Sequence, residues 1–171
     1  MKLAMISLLA AAMLGLAGGE ARAQEEPTGL SDFSGKPRSL DEYTGKGKWT
    51  IVVFWAHDCV ECNREAESYE QFYQRHKGKD AIMLGLSIDG AAQKRLAAGF
   101  VKRHKLTFPN LIGEPEDVTA LFTMLTGVQW IGTPTFLIYN PTGRLVAQQI
   151  GAVPVALIED FIRKKSTAQP G

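Results

Sequence analysis

Only two cysteines occur in the 171 residues, and they stand together as Cys59-Val60-Glu61-Cys62. Two sulfurs fall short of the four ligands of a closed structural zinc site. The three histidines, His57, His76 and His104, share no recognisable ligand spacing with them. A structural staple is also a poor explanation. Disulfide stabilisation grows with the loop that is closed, and a bridge over two residues closes almost nothing. Redox chemistry of the pair is the reading left. A surplus of charge is lacking too: 19 Lys and Arg face 18 Asp and Glu. That balance supplies no electrostatic footprint for nucleic acid.

Long hydrophobic runs are missing everywhere but at the start. Lys2 is followed by an uncharged stretch, residues 3 to 19, rich in Leu, Ala and Met, and then by Ala21-Arg22-Ala23. A positive end, an apolar middle and a small-x-small site are the three parts of a secretory signal peptide. The expectation is a signal over residues 1–23, cut after Ala23, and one domain over 24–171. The alternative, an uncleaved anchor, is disfavoured because the stretch is at the short limit for a spanning helix and contains Gly15, Gly18 and Gly19. Export to an oxidising compartment would let a disulfide persist. With 45% hydrophobic residues, the remainder has the composition of an ordinary globular core.

Along the chain, Leu30 to Tyr43 carries short apolar positions broken by Gly35 and Pro37, which suggests a small hairpin. Trp49 to Trp55 is a nearly continuous β-branched and aromatic run, the pattern of a strand buried on both faces. From Cys59 to about His76, Ala66, Tyr69, Phe72 and Tyr73 recur at helical spacing. Ala81 to Ile88 reads as a second buried strand. Ala91 to about His104 reads as a helix with Leu96, Phe100 and Val101 on one face. A short extended piece lies within Thr107 to Ile112, and Glu116 to about Thr126 is helical. Phe136 to Tyr139 and Arg144 to Ile150 form a hairpin around the turn Asn140-Pro141-Thr142-Gly143. A last helix runs from Val155 to about Lys165, with Leu157, Ile158, Phe161 and Ile162 inward. This order predicts an α/β domain with one mixed parallel and antiparallel sheet and helices on both faces.

Cys59 falls where a strand gives way to a helix. The first helical turn has unpartnered N–H groups and partial positive charge, and that environment favours the thiolate, the reactive form of cysteine. Cys62 lies one turn on, facing the same way and deeper. Cys59 is therefore read as the attacking sulfur and Cys62 as the resolving one.

The segment Val53-Phe54-Trp55-Ala56-His57-Asp58-Cys59-Val60-Glu61-Cys62-Asn63-Arg64-Glu65, with Gly132-Thr133-Pro134-Thr135-Phe136 and the Asn140–Gly143 turn, resembles the TlpA/ResA-like periplasmic thioredoxins. The resemblance implies a thioredoxin-like fold with a small N-terminal hairpin, a redox-active Cys59–Cys62 disulfide, periplasmic location and no cofactor or metal. It implies that Pro134 is a cis-proline beside the disulfide, with Thr133 presenting its backbone to substrate. Glu65 matches an acidic residue that exchanges a proton near Cys62; a solvated helix glutamate is the plainer alternative. Trp55 is either a wall of the substrate site or core filling, with core favoured. Asp58 and Glu61 depart from the family, which usually has an aromatic residue before the first cysteine and proline before the second. Both are candidate substrate-rim residues.

The implied activity is reduction of disulfides in exported proteins, apocytochrome c in cytochrome c maturation being typical of the family. A membrane electron-transfer protein is the expected reductant. Two alternatives use the same cysteines: a disulfide-forming oxidant, and a Cu(I) chaperone, since soft thiolates suit Cu(I).

Overall fold

The computed structural model describes residues 29–167. The signal segment, its cleavage site and residues 168–171 lie outside the described residues.

Among the described residues six strands form one sheet in the order β1-β4-β3-β2-β5-β6. The strands are β1 (Ser31–Asp32), β2 (Trp49–Trp55), β3 (Ala81–Ser87), β4 (Asn110–Ile112), β5 (Thr135–Tyr139) and β6 (Leu145–Ile150). The helices are α1 (Val60–His76), α2 (Gly90–Arg103), α3 (Pro115–Thr126) and α4 (Val155–Thr167), with a short 3-10 turn at Leu40–Glu42. β2 pairs parallel with β3 and antiparallel with β5. β3 pairs parallel with β4, and β5 and β6 make the late hairpin. The mixed sheet read from the order of elements is therefore present, and the fold is thioredoxin-like.

Every residue of β2 is buried. Alternation along a strand sends successive side chains to opposite faces, and both faces are covered. Ile51, Val53 and Trp55 pack with residues of α1, α2 and α4, whereas Val52 and Phe54 pack with residues of α3 and the 3-10 turn. Phe54 meets Phe122 of α3 edge-on, with ring centroids 5.7 Å apart. Helix α3 opens on Pro115 and ends at Gly127 in the left-handed conformation, φ 69°, a conformation glycine adopts without steric cost.

Three details differ from the sequence reading. The N-terminal turn closes by a single bridge, Ser31 to Pro37, while the ladder of β1 is made with β4 at the sheet edge. On α2 it is Ala97 that is buried with Phe100, and Leu96 is 40% exposed. On α4, Ile158 and Ile162 face inward while Leu157 is 61% exposed. In both helices a neighbouring position one residue on takes the core face; in α2 the small side chain of Ala97 occupies it.

The topology gathers the site. Strands β2, β3 and β4 run the same way, so the segments that follow them lie at one end of the sheet. β5 runs the opposite way, and Phe54 pairs with Thr135. Thr133 and Pro134, just before β5, therefore join the Cys59 segment at that end.

Candidate active site

Cys59 is the N-cap of α1, with extended backbone (φ −66°, ψ 116°). Its Sγ accepts the Cys62 N–H at 3.1 Å, so the sulfur takes one of the donors that a helix start leaves free. Sγ is bonded to Sγ of Cys62, with Cα atoms 5.2 Å apart. Cys59 is half-buried and Cys62 is 2% exposed. An incoming sulfur has access to the first and is screened from the second.

The turn that carries Cys59 is closed by Cys59 N–H to the Ala56 carbonyl at 3.2 Å. Two clamps hold it. From the end of β3, the Asp89 carboxylate accepts the His57 backbone N–H, at 3.1 and 3.2 Å to its two oxygens, and contacts His57 Nδ1 at 2.6 Å. From α1, the Asn63 amide donates to the carbonyls of His57 (3.1 Å) and Cys59 (2.9 Å). Asn63 Oδ1 in turn accepts from His104 Nε2 at 3.0 Å and from Arg103 at 3.2 Å. Burial, then the charge of Arg103, lowers the His104 pKa below the ordinary imidazole value. Neither clamp stands out in the sequence. Asp89 is 32 residues from His57, and Asn63 reads as one more polar helix residue.

The remaining candidates are placed as follows. The Thr133–Pro134 peptide bond is cis. Pro134 is buried, its carbonyl accepts Gly151 N–H at 2.8 Å, and Thr133 is half-exposed. Trp55 is 2% exposed, stacks on Phe100 at 4.4 Å between centroids, and donates from Nε1 to Asn110 Oδ1 at 3.1 Å. It lies in the core behind the dithiol, where it lines a small apolar cavity with Val53, Cys62, Tyr69 and Phe108. Asp58 is exposed. Glu61 is paired with Arg64 at 2.9 Å on the exposed first turns of α1. Glu65 is half-buried. Burial raises the Tyr69 pKa well above the usual phenol range, and the charge of Glu65 adds to the effect.

His57, Asp58 and Asp89 bring potential ligand atoms within 4.8 Å of one another. Nδ1 of His57 and both oxygens of Asp89 are already committed to hydrogen bonds, Asp89 Oδ2 also accepting Ser87 Oγ–H at 2.6 Å. The cluster is a hydrogen-bonded dyad with its supports.

A thioredoxin-like sheet with a Cys-x-x-Cys pair capping the helix after its central strand defines a thiol–disulfide oxidoreductase. The chain belongs to the AhpC/TSA family, whose match spans residues 20–148. It is similar to sporulation thiol-disulfide oxidoreductase A of Bacillus subtilis, 23% identical over 117 residues that cover 68% of this chain and 67% of that one. It is also similar to thiol-disulfide oxidoreductase ResA of the same organism, 23% identical over 133 residues, 78% of this chain and 69% of that one. In fold it resembles a secreted disulfide oxidoreductase of Mycobacterium tuberculosis, with a TM-score of 0.62 and 21% identity, covering 79% of this chain and 93% of that one.

Proposed function

We propose that this oxidoreductase works as a reductant of disulfides in exported proteins. Cys59 attacks a substrate disulfide, forming a mixed disulfide, and Cys62 then displaces the reduced substrate and closes the internal bridge. The observation that carries the reading is the asymmetry of the pair: a half-buried sulfur at a helix N-terminus, backed by a sulfur 2% exposed. The exposed carboxylate of Asp58 beside the first sulfur favours the reducing direction. Nearby negative charge disfavours a thiolate, which makes the reduced form less stable and the couple more reducing. The exposed side chains of Val60 and Ile131, one between the cysteines and one three residues before Pro134, suit a polypeptide substrate.

The signal-like N-terminus, and the secreted character of the Mycobacterium tuberculosis relative, support export to the periplasm. A membrane electron-transfer protein is the proposed source of electrons, and cytochrome c maturation the proposed setting. Trapping tests the division of labour: Cys62→Ser accumulates mixed disulfides through Cys59, and Cys59→Ser accumulates none. Adducts mapped by mass spectrometry to Cys62 in the Cys59→Ser protein would reverse the assignment.

A further inference from the structure

His57 is fixed more firmly than a loop histidine needs to be. Its ring is 19% exposed and its Nδ1 lies 2.6 Å from a carboxylate, Asp89, that is itself 4% exposed. The Asp89 carboxylate is held in place from several sides. It sits at the N-cap position of α2, whose partial positive charge favours an anion. Its two oxygens share the single His57 backbone N–H, and one of them also accepts the Ser87 hydroxyl. Among the described residues its one ion-pair partner is His57. An anion facing Nδ1 holds the proton on that nitrogen, so Nε2 is left as the nitrogen free to take or give a proton. The ring stands two residues before the attacking sulfur, in the turn closed by Cys59 N–H to the Ala56 carbonyl.

We propose that His57 is the proton carrier for the Cys59 sulfur and that Asp89 is its positioning residue. The proposal deepens the reductant reading and, for its substrate step, rests on it. His57 Nε2 takes the proton of the Cys59 thiol, directly or through one water. The thiolate attacks the substrate disulfide, so that a Cys59–substrate S–S bond forms and the substrate S–S bond breaks. The leaving thiolate takes the proton back from His57. Cys62 then attacks the mixed disulfide, closing the Cys59–Cys62 bond, and its own proton goes to the second substrate sulfur. Two electrons pass from the dithiol to the substrate, and both protons are accounted for.

Other charged groups lie on the elements around this turn, Asp58 within 4.8 Å of the His57–Asp89 ligand atoms. Asp58 lies on the same turn as His57, and Glu61, Arg64 and Glu65 lie on the first turns of α1. Arg103 at the end of α2, and His104 just after it, reach the His57 carbonyl through Asn63. Glu114, at the start of α3, accepts Ala91 N–H at the head of α2 at 2.8 Å. None of these is hydrogen-bonded to the His57 ring among the described residues.

The test is alkylation of Cys59 by iodoacetamide in the fully reduced chain as a function of pH, with the site mapped by mass spectrometry. Wild type should show two steps. His57→Gln should show one and react at least tenfold more slowly at pH 6, and Asp89→Asn should fall between them. Superimposable profiles for wild type and His57→Gln would overturn the proposal. Nitrogen NMR of the reduced wild-type protein reads the same claim without a variant, and decides it if either variant fails to fold. Neutral His57 should carry its proton on Nδ1; a proton on Nε2 overturns the assignment. Alkylation needs no disulfide substrate, so a protein that proved to be an oxidant would leave this result standing, and the two failures are separate.

Discussion

Gly85 lies in β3 beneath Trp55, and a methyl group there has nowhere to go. A Cβ at this position would stand 1.9 Å from Asn110 Oδ1 and 2.8 Å from Trp55 Nε1. Asn110 can yield only by giving up two hydrogen bonds, one from Trp55 Nε1 and one that its own amide donates to the Phe108 carbonyl at 2.8 Å. Leaving the buried indole N–H without a partner costs about 1–3 kcal/mol, and the second bond is worth about 1 kcal/mol. Gly85→Ala should therefore cost about 2–4 kcal/mol in urea denaturation of the oxidised protein. The same substitution at Gly99 in α2 meets nothing within 4 Å and should stabilise by roughly 0.5–1 kcal/mol, the helix preference of Ala over Gly. The cycle with Asn110→Ala isolates the cause. In that background the nearer clash partner is gone, and the part of the Gly85→Ala cost that comes from displacing Asn110 should disappear; the close approach to Trp55 Nε1 at 2.8 Å remains. A Gly85→Ala cost below about 0.5 kcal/mol, or one unchanged by Asn110→Ala, would refute the reasoning.

Other expectations follow from the charges and clamps of the site. Two exposed carboxylates beside a sulfur, each at a separation on the order of 6 Å in water, contribute about 0.7 kcal/mol apiece. Changing Asp58→Asn and Glu61→Gln together should thus raise the reduction potential by up to about 30 mV. Arg64→Gln, which strips Glu61 of its partner, should lower it; shifts of the same sign for both variants in a glutathione titration would exclude the electrostatic explanation. Folding lowers the His104 pKa, so the unfolded chain binds the proton more tightly. The corresponding stability is complete above the unfolded value near about 6.5 and is lost as pH falls toward the folded pKa. His104→Gln should flatten that part of the stability-against-pH curve, which denaturant titrations at several pH values will read.

The parts of the molecule that were legible in the sequence are those where local pattern and tertiary demand agree. Trp49–Trp55 is apolar at nearly every position because the strand is covered on both faces. The strand-to-helix junction marked Cys59 because a helix start is where a thiolate is favoured. Helical periodicity was weaker at placing a face: in α2 it took Leu96 rather than Ala97, and in α4 it set Leu157 inward beside Ile158, whereas the packing leaves both leucines outside. The partner of β1 was hidden because a two-residue strand carries no pattern, and only the sheet edge reveals β4. The His57–Asp89 and Asn63 clamps were hidden for another reason. The His57–Asp89 bonds join residues brought together by parallel strands, which leaves no spacing rule in the chain, and Asn63, though only six and four residues from the carbonyls it holds, reads as one more polar residue of a helix.

The direction of electron flow is the central claim, and the reduction potential of the Cys59–Cys62 couple tests it most directly. Equilibration of the full chain against glutathione or dithiothreitol, read by mass spectrometry after alkylation, should place the couple near the thioredoxin end of the scale, about −270 mV. A value above about −160 mV, toward the strongly oxidising end near about −120 mV, would contradict the reductant reading and make the protein a donor of disulfides.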